Sequence, residues 1–174
     1  KSALLLAGVV GEVAVDLREP GGRSRDHTER LRRAFGYPVE ERDGWIEFRP
    51  GGRIEPFDLQ VPGDPSSAAF LVAAAVLAEA GELRIAGVGV NPTRTGFLRV
   101  LERMGAAVDA VAPDTSFGEP LADLVARPAA LRATEVGEAE IPGLIDEIPM
   151  LAVLASRAAG ETVFRSVGEL RVKE

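Results

Sequence analysis

The sequence predicts an α/β fold built from a repeated unit of strand, helix, strand, helix and paired strands, and two observations predict it. The first is self-similarity at long period. Val61-Pro62-Gly63 runs through an alanine-rich stretch to Gly81-Glu82-Leu83-Arg84-Ile85, and Ile141-Pro142-Gly143 runs through Ala152 and Ala158-Ala159 to Gly160-Glu161-Thr162-Val163-Phe164. Each reads as a β-branched residue, Pro-Gly, an apolar helix of about four turns, a Gly-Glu stop and a short strand. A further copy begins inside its helix at Lys1, reaches Gly11-Glu12 and continues as Val13-Ala14-Val15. The second observation is that in two of these copies the strand leads into a second helix, a terminal glycine and then hairpin-like sequence.

Each element has a local reason. Alanine and leucine carry the first helix at low entropic cost, glycine supplies a left-handed stop, and the β-branched run beyond it suits a strand. The second helix is expected over Asp26 to Phe35, with Leu31 and Phe35 spaced by four, and over Thr95 to Met104. In the latter Phe97, Leu101 and Met104 share one face with Leu98 beside them. Gly36 and Gly105 end these helices, and Trp45-Ile46-Glu47-Phe48 comes after a turn at Asp43-Gly44. The unit spans about 70 to 80 residues, longer than common solenoid repeats.

Composition narrows the function. Hydrophobic residues at 46% and charged residues at 27% are the balance of a globular chain. No apolar run is long enough to span a bilayer, and no signal peptide is visible, so the expected location is cytoplasmic, without a membrane partner. Cysteine is absent and His27 is the one histidine, which excludes a thiolate nucleophile and disfavours a metal site. The net charge of −7 argues against nucleic acid. A small anion is still bound where cations converge locally. The chain has no initiator methionine and stops at Leu170-Arg171-Val172-Lys173-Glu174 without closing turn chemistry, so both ends read as cuts.

The repeat aligns a cation at the exit of each strand: Arg25, Arg94 and Lys173. Two of them lie near a helix N-terminus, which favours an anion; the plainer reading of each is a solvated charge. Asp26 and Thr28 read as capping residues. Gly63-Asp64-Pro65-Ser66-Ser67 lacks the spacing of a phosphate loop, and a helix N-cap followed by proline explains it more cheaply. His27 reads as a support for its loop. In Ile145-Asp146-Glu147-Ile148-Pro149 two acids stand at the mouth of an apolar helix and point in different directions. A carboxylate among Ile145, Ile148 and Leu151 is partly desolvated, which suits proton transfer; the alternative is that both acids complement the helix dipole. Lys173-Glu174 adds a cation and a further carboxylate at an equivalent loop edge.

Five stretches together, Ser24-Arg25-Asp26-His27-Thr28-Glu29-Arg30, Val61 to Phe70, Asn91-Pro92-Thr93-Arg94-Thr95-Gly96, Ile145 to Pro149 and Glu169 to Glu174, resemble the 3-phosphoshikimate 1-carboxyvinyltransferase (EPSP synthase) family across essentially the whole chain. The resemblance implies an inside-out α/β barrel fold of two domains, each of three βαβαββ units, here incomplete. Residues 1–60 are then the last repeat of one domain, and 61–174 the first part of the other. It implies transfer of the enolpyruvyl group of phosphoenolpyruvate to the 5-hydroxyl of shikimate 3-phosphate, without cofactor or metal, by a monomeric parent enzyme. By motif, Asp146 matches the proton acceptor for that hydroxyl, and Glu174 an acid acting near the phosphoenolpyruvate carbons. Lys173 matches a cation that contacts shikimate 3-phosphate, and Ser24 and Arg25 stand where the family binds the 3-phosphate group. Glu169 stands where many relatives have asparagine, so no ligand role passes to it. Other family groups fall before Lys1 or after Glu174, so this chain alone is expected to be inactive. The competing readings are the sister enzyme acting on a UDP-sugar and a non-catalytic anion-binding repeat scaffold.

Overall fold

The order helix, strand, helix, strand, strand occurs twice along the chain. The computed structural model describes residues 1–19 and 24–172. The first run is α1 (Ser2–Val10), β1 (Val15–Arg18), α2 (His27–Ala34), β2 (Val39–Arg42) and β3 (Trp45–Phe48). The second is α3 (Pro65–Val76), β4 (Leu83–Gly89), α4 (Gly96–Met104), β5 (Ala107–Ser116) and β6 (Glu119–Arg127). After it come β7 (Glu135–Val136), 3₁₀ segments over Glu138–Gly143 and Ile145–Glu147, α5 (Ile148–Ala155), β8 (Val163–Phe164) and a 3₁₀ turn over Gly168–Arg171. The chain divides into one unit of residues 1–61 with 115–119, and a second of 62–114 with the chain from 120 onward.

In the first unit the strands form an antiparallel sheet in the order β1-β3-β2, with Val15 and Val39 both opposite Phe48. Asp43 and Gly44 close the β2–β3 hairpin with φ of 52° and 78°, the two positive values that a two-residue turn needs to match strand twist. Ile46 and Phe48 alternate into the core with Leu5, Leu17, Tyr37 and Val39. Helix α1 lies close on this sheet: a Cβ at Gly8 would stand 2.7 Å from Val15 Cγ2 and 3.0 Å from the Val13 carbonyl oxygen. Helix α2 departs from expectation. Leu31 and Phe35 are only half-buried, and the residues it buries are Glu29 and Arg32, because ion pairing and stacking take the place of apolar contact there. Arg32 lies over the Tyr37 ring at 5.4 Å.

The second unit has the larger core. Helix α3 contributes Ala68, Ala69, Val72, Ala73 and Val76, α4 contributes Phe97, Val100, Leu101 and Met104, and α5 contributes Leu151 and Leu154. Strands pair in the order β4-β6-β5, with β4 antiparallel to β6. A register shift between Ile85 and Val88 is held by Asp123, whose carboxylate accepts from the Gly87 N–H at 2.8 Å. Strands β7 and β8 pair in parallel.

The repeated Gly-Glu stop has a different local role from the one expected. Helix α3 ends at Val76 and α5 at Ala155; Gly81 and Gly160 take φ of 105° and 100° in the turns that lead into the next strand. At the first copy Gly11 is right-handed and Glu12 takes the positive φ. Pro-Gly also diverges: Gly63 is extended and bridges Val88 in parallel, whereas Pro142-Gly143 closes a 3₁₀ segment. Gly105 ends α4 in the left-handed conformation as expected. Gly8→Val should destabilise the first unit by about 1–3 kcal/mol through overpacking, seen as a lower thermal midpoint by circular dichroism.

Candidate active site

The two acids at the mouth of the apolar helix have separate environments, a choice that their shared flanking residues left open. The Glu147 N–H donates to the Leu144 carbonyl at 3.0 Å, closing the 3₁₀ turn Ile145–Glu147 directly before α5. Leu144, Ile145, Ile148 and Leu151 anchor this turn in the core. On it Asp146 is half-buried, while Glu147 is 2% exposed. The desolvated carboxylate is therefore Glu147, because the side chain one residue on is rotated into the protein. Glu147, the N-cap residue of α5, does not cap it through its side chain.

Glu147 is met by residues from two other segments. Its Oε1 accepts a hydrogen bond from Ser66 Oγ at 2.5 Å and lies 3.6 Å from Arg94 Nη2. Arg94 Nη2 in turn donates to Ser66 Oγ at 2.7 Å and reaches Asp64 Oδ1 at 3.4 Å. Ser66 is in the first turn of α3, where Asp64 is the N-cap: its carboxylate accepts from the Ser66 N–H at 3.3 Å and the Ser67 N–H at 2.9 Å, with Pro65 next in the chain. That is the cap-and-proline reading of this motif. Arg94 leaves a loop shaped by Asn91, a buried residue whose side-chain oxygen accepts from the Thr93 N–H and hydroxyl at 2.9 and 2.7 Å. Arg94 is thus neither solvated nor open to an anion: its side chain is 10% exposed and committed to this cluster.

The same loop presses on the turn that carries the acids. A Cβ at Gly96 would lie 2.7 Å from the Gly143 carbonyl oxygen and 2.8 Å from Leu144 Cβ, so only glycine lets the two backbones meet.

In the first unit Ser24 and Arg25 are half-buried. Ser24 Oγ donates to Glu19 Oε1 at 2.5 Å, and its N–H donates to Glu19 Oε2 at 3.1 Å. Lys1 Nζ lies 2.9 Å from Glu19 Oε2 and 2.8 Å from Glu29 Oε1; the Glu29 contact is an ion pair outside hydrogen-bonding geometry. Burial favours the neutral form of Glu19, but the Ser24 hydroxyl, Lys1 and the Ser24 N–H outweigh it and hold the carboxyl below its usual range. Asp26 occupies the N-cap position of α2 without capping through its side chain; it accepts from Arg30 Nε at 2.8 Å instead. His27 bonds Glu119 through Nδ1 at 2.7 Å, which supports its loop.

Ser24 and Arg25 belong to the first unit and Asp146 to the second; Lys173 and Glu174 lie outside the described residues. Sequence reading missed Glu19, Lys1 and Glu147 as partners. Lys1 carried a signal, since it and Lys173 are the chain's two lysines, but the pairing of Ser66 with Glu147, 81 residues apart, carried none. Among the described residues no group of three or more His, Asp and Glu side chains could hold a metal ion, and no helix is long and apolar enough to cross a membrane.

Both clusters bear on stability. Lys1→Met leaves Glu19 and the fully buried Glu29 without their shared cation, a loss of about 3–5 kcal/mol, read by chemical denaturation. Asp64→Ala removes a cap and should cost about 1 kcal/mol near neutral pH. Burial opposes ionisation of Asp64, but the Ser67 hydroxyl, the two N–H groups and Arg94 lower its folded pKa overall. Its contribution is therefore full above the unfolded value near ~4 and is lost as pH falls through the lower folded value. The gap between wild type and Asp64→Ala should accordingly narrow in acid unfolding titrations.

The profile of the family EPSP synthase (3-phosphoshikimate 1-carboxyvinyltransferase) matches residues 1–174. Proteins named 3-phosphoshikimate 1-carboxyvinyltransferase from Desulforudis audaxviator and Gloeobacter violaceus are 48% and 49% identical to it over 174 residues. These matches cover 100% of this chain and 40% of each relative, so the chain spans about two fifths of their length. The solved EPSP synthase of Acinetobacter baumannii superposes with a TM-score of 0.91 at 40% identity, covering 100% of this chain and 39% of that one. The enolpyruvyl transferase NikO from Streptomyces tendae superposes with a TM-score of 0.69 at 25% identity, covering 91% of this chain and 38% of that one. The repeated α/β arrangement is the fold of these enzymes, and the chain belongs to the EPSP synthase (3-phosphoshikimate 1-carboxyvinyltransferase) family.

Proposed function

We propose that this chain is the part of a 3-phosphoshikimate 1-carboxyvinyltransferase that carries Asp146 and the Ser24-Arg25 phosphate contact. The observation that carries the reading is the family match over residues 1–174, which takes in every motif named above. The reaction joins the 5-hydroxyl oxygen of shikimate 3-phosphate to the central carbon of phosphoenolpyruvate. Asp146 accepts the hydroxyl proton as that bond forms, and Glu174 supplies a proton to the methylene carbon. The tetrahedral adduct then loses phosphate, which takes the proton held by Asp146, while the new methyl group returns a proton to Glu174 and the carbon–carbon double bond re-forms as an enol ether. Such chemistry asks for two carboxylates in different environments and cations for the phosphates. Ser24 and Arg25 hold the 3-phosphate group, and Lys173 contacts shikimate 3-phosphate. The half-buried position of Asp146 supports its role, since substrate must reach it.

In this reading residues 1–60 close one domain as its last repeat and 61–174 begin the other. The working enzyme is a cytoplasmic monomer that needs no cofactor and has no nucleic-acid or membrane partner. The test uses full-length enzyme carrying this segment. Asp146→Asn should lower kcat by about 10²–10⁴-fold in a phosphate-release assay, and Lys173→Ala should weaken shikimate 3-phosphate in isothermal titration. The 174-residue chain alone should show no turnover. Binding of UDP-N-acetylglucosamine in preference to shikimate 3-phosphate, or full turnover by Asp146→Asn, would refute the assignment.

A further inference from the structure

We infer that Glu147 is a positioning residue for Asp146, acting through Ser66 and Arg94; the inference rests on the proton-transfer reading of Asp146 given above. Asp146 and Glu147 are consecutive on one short turn, so any displacement of Glu147 is transmitted through a single planar peptide to Asp146. That turn is fixed in depth by Leu144, Ile145 and Ile148, which are buried. Apolar burial is non-directional: it holds the turn in the core but does not fix its rotation about the chain axis. Besides the Glu147 N–H bond to the Leu144 carbonyl within the turn, the directional contacts that tie Glu147 to other segments are polar. Ser66 Oγ donates to Glu147 Oε1, Arg94 Nη2 donates to Ser66 Oγ, and Asp64 receives the same guanidinium. Three segments are thereby joined at one point: the first turn of α3, the loop after β4, and the turn bearing Asp146.

The Glu147–Arg94 pair itself adds little net stability. Glu147 is 2% exposed, and among the described residues its Oε2 and the Arg94 Nε meet no hydrogen-bond partner in the protein. A buried ion pair with unmatched polar atoms roughly breaks even against an apolar substitute. What an apolar pair cannot supply is a fixed angle. The close approach at Gly96 presses the loop that carries Arg94 against Gly143 and Leu144, so the clamp closes on a backbone already confined from one side. Near-attack geometry is sensitive at this scale, because a displacement of about 1 Å can cost about 10²-fold in rate.

The experiment compares Ser66→Ala, Glu147→Ala, Glu147→Gln and Asp146→Asn in full-length enzyme carrying this segment, with kcat, KM for shikimate 3-phosphate and Tm measured for each. Glu147→Ala should lower kcat about 10–100-fold with KM within about threefold of wild type. Glu147→Gln keeps an acceptor for Ser66 and should recover most of that loss. Ser66→Ala, which removes the bridging hydroxyl but leaves Glu147 beside the Arg94 guanidinium, should lower kcat about 3–10-fold with wild-type KM and a modest fall in Tm. Should Glu147→Ala fail to fold, Ser66→Ala decides: lowered kcat at wild-type KM supports the inference, and unchanged kcat overturns it. Wild-type kcat in Ser66→Ala and Glu147→Ala beside an inactive Asp146→Asn overturns the inference alone. So does a loss in Glu147→Ala that Glu147→Gln does not recover and that falls on KM and Tm as well. Full turnover by Asp146→Asn overturns the proton-transfer reading and this inference with it.

Discussion

Ser66 Oγ accepts from Arg94 and donates to Glu147, and the buried polar cluster that joins α3, the loop after β4 and the turn before α5 depends on that one hydroxyl. A hydroxyl is suited to the task because it can do both at once. Around it the backbone is arranged to deliver the three side chains. Asp64 starts α3 so that Ser66 falls in its first turn, Asn91 folds the loop that presents Arg94, and the 3₁₀ turn rotates Glu147 inward while leaving Asp146 half-buried. Each of these is a local, low-cost device. Their convergence places charge inside a core made otherwise of aliphatic side chains with Phe97 and Met104.

The first unit uses buried charge in a related way. Lys1 lies between Glu19 and Glu29, and Glu19 grips both the hydroxyl and the N–H of Ser24. The burial that would favour a neutral Glu19 is outweighed by three donors, so the carboxylate remains a firm acceptor. In both units a residue proposed to meet substrate stands beside a carboxylate that is bonded to serine, half-buried at Glu19 and buried at Glu147. The groups proposed to face substrate are Ser24, Arg25 and Asp146; those proposed to support them are Glu19 and Glu147. Support of this kind is what keeps a reactive geometry within tolerance.

Division of labour between apolar and polar contacts also explains why the repeat is regular in sequence and irregular in detail. Helices α3 and α5 are both apolar and both feed the same core, so the hydrophobic pattern recurs. The Pro-Gly that precedes each helix does not recur in conformation: Gly63 joins β4 through a parallel bridge, while Gly143 meets Gly96 backbone to backbone. Tertiary neighbours select different local conformations for the same dipeptide.

By itself the sequence determined the order of elements, the Asp43-Gly44 hairpin, the Asp64 cap with Pro65, the Gly105 stop and the family, because each is written in neighbouring residues or in a pattern repeated along the chain. Asp146 was legible as an acid at the mouth of an apolar helix. Which of Asp146 and Glu147 is buried was decided by tertiary structure, since adjacent residues share the same flanks and differ only in the direction the turn gives them. The fate of Arg94 was decided there too: the repeat placed it beside Arg25 and Lys173 as an anion contact, and the fold committed it to Asp64, Ser66 and Glu147. Contacts between residues 28 to 81 positions apart leave no local trace, because the geometry that joins them is created by packing rather than by any one segment.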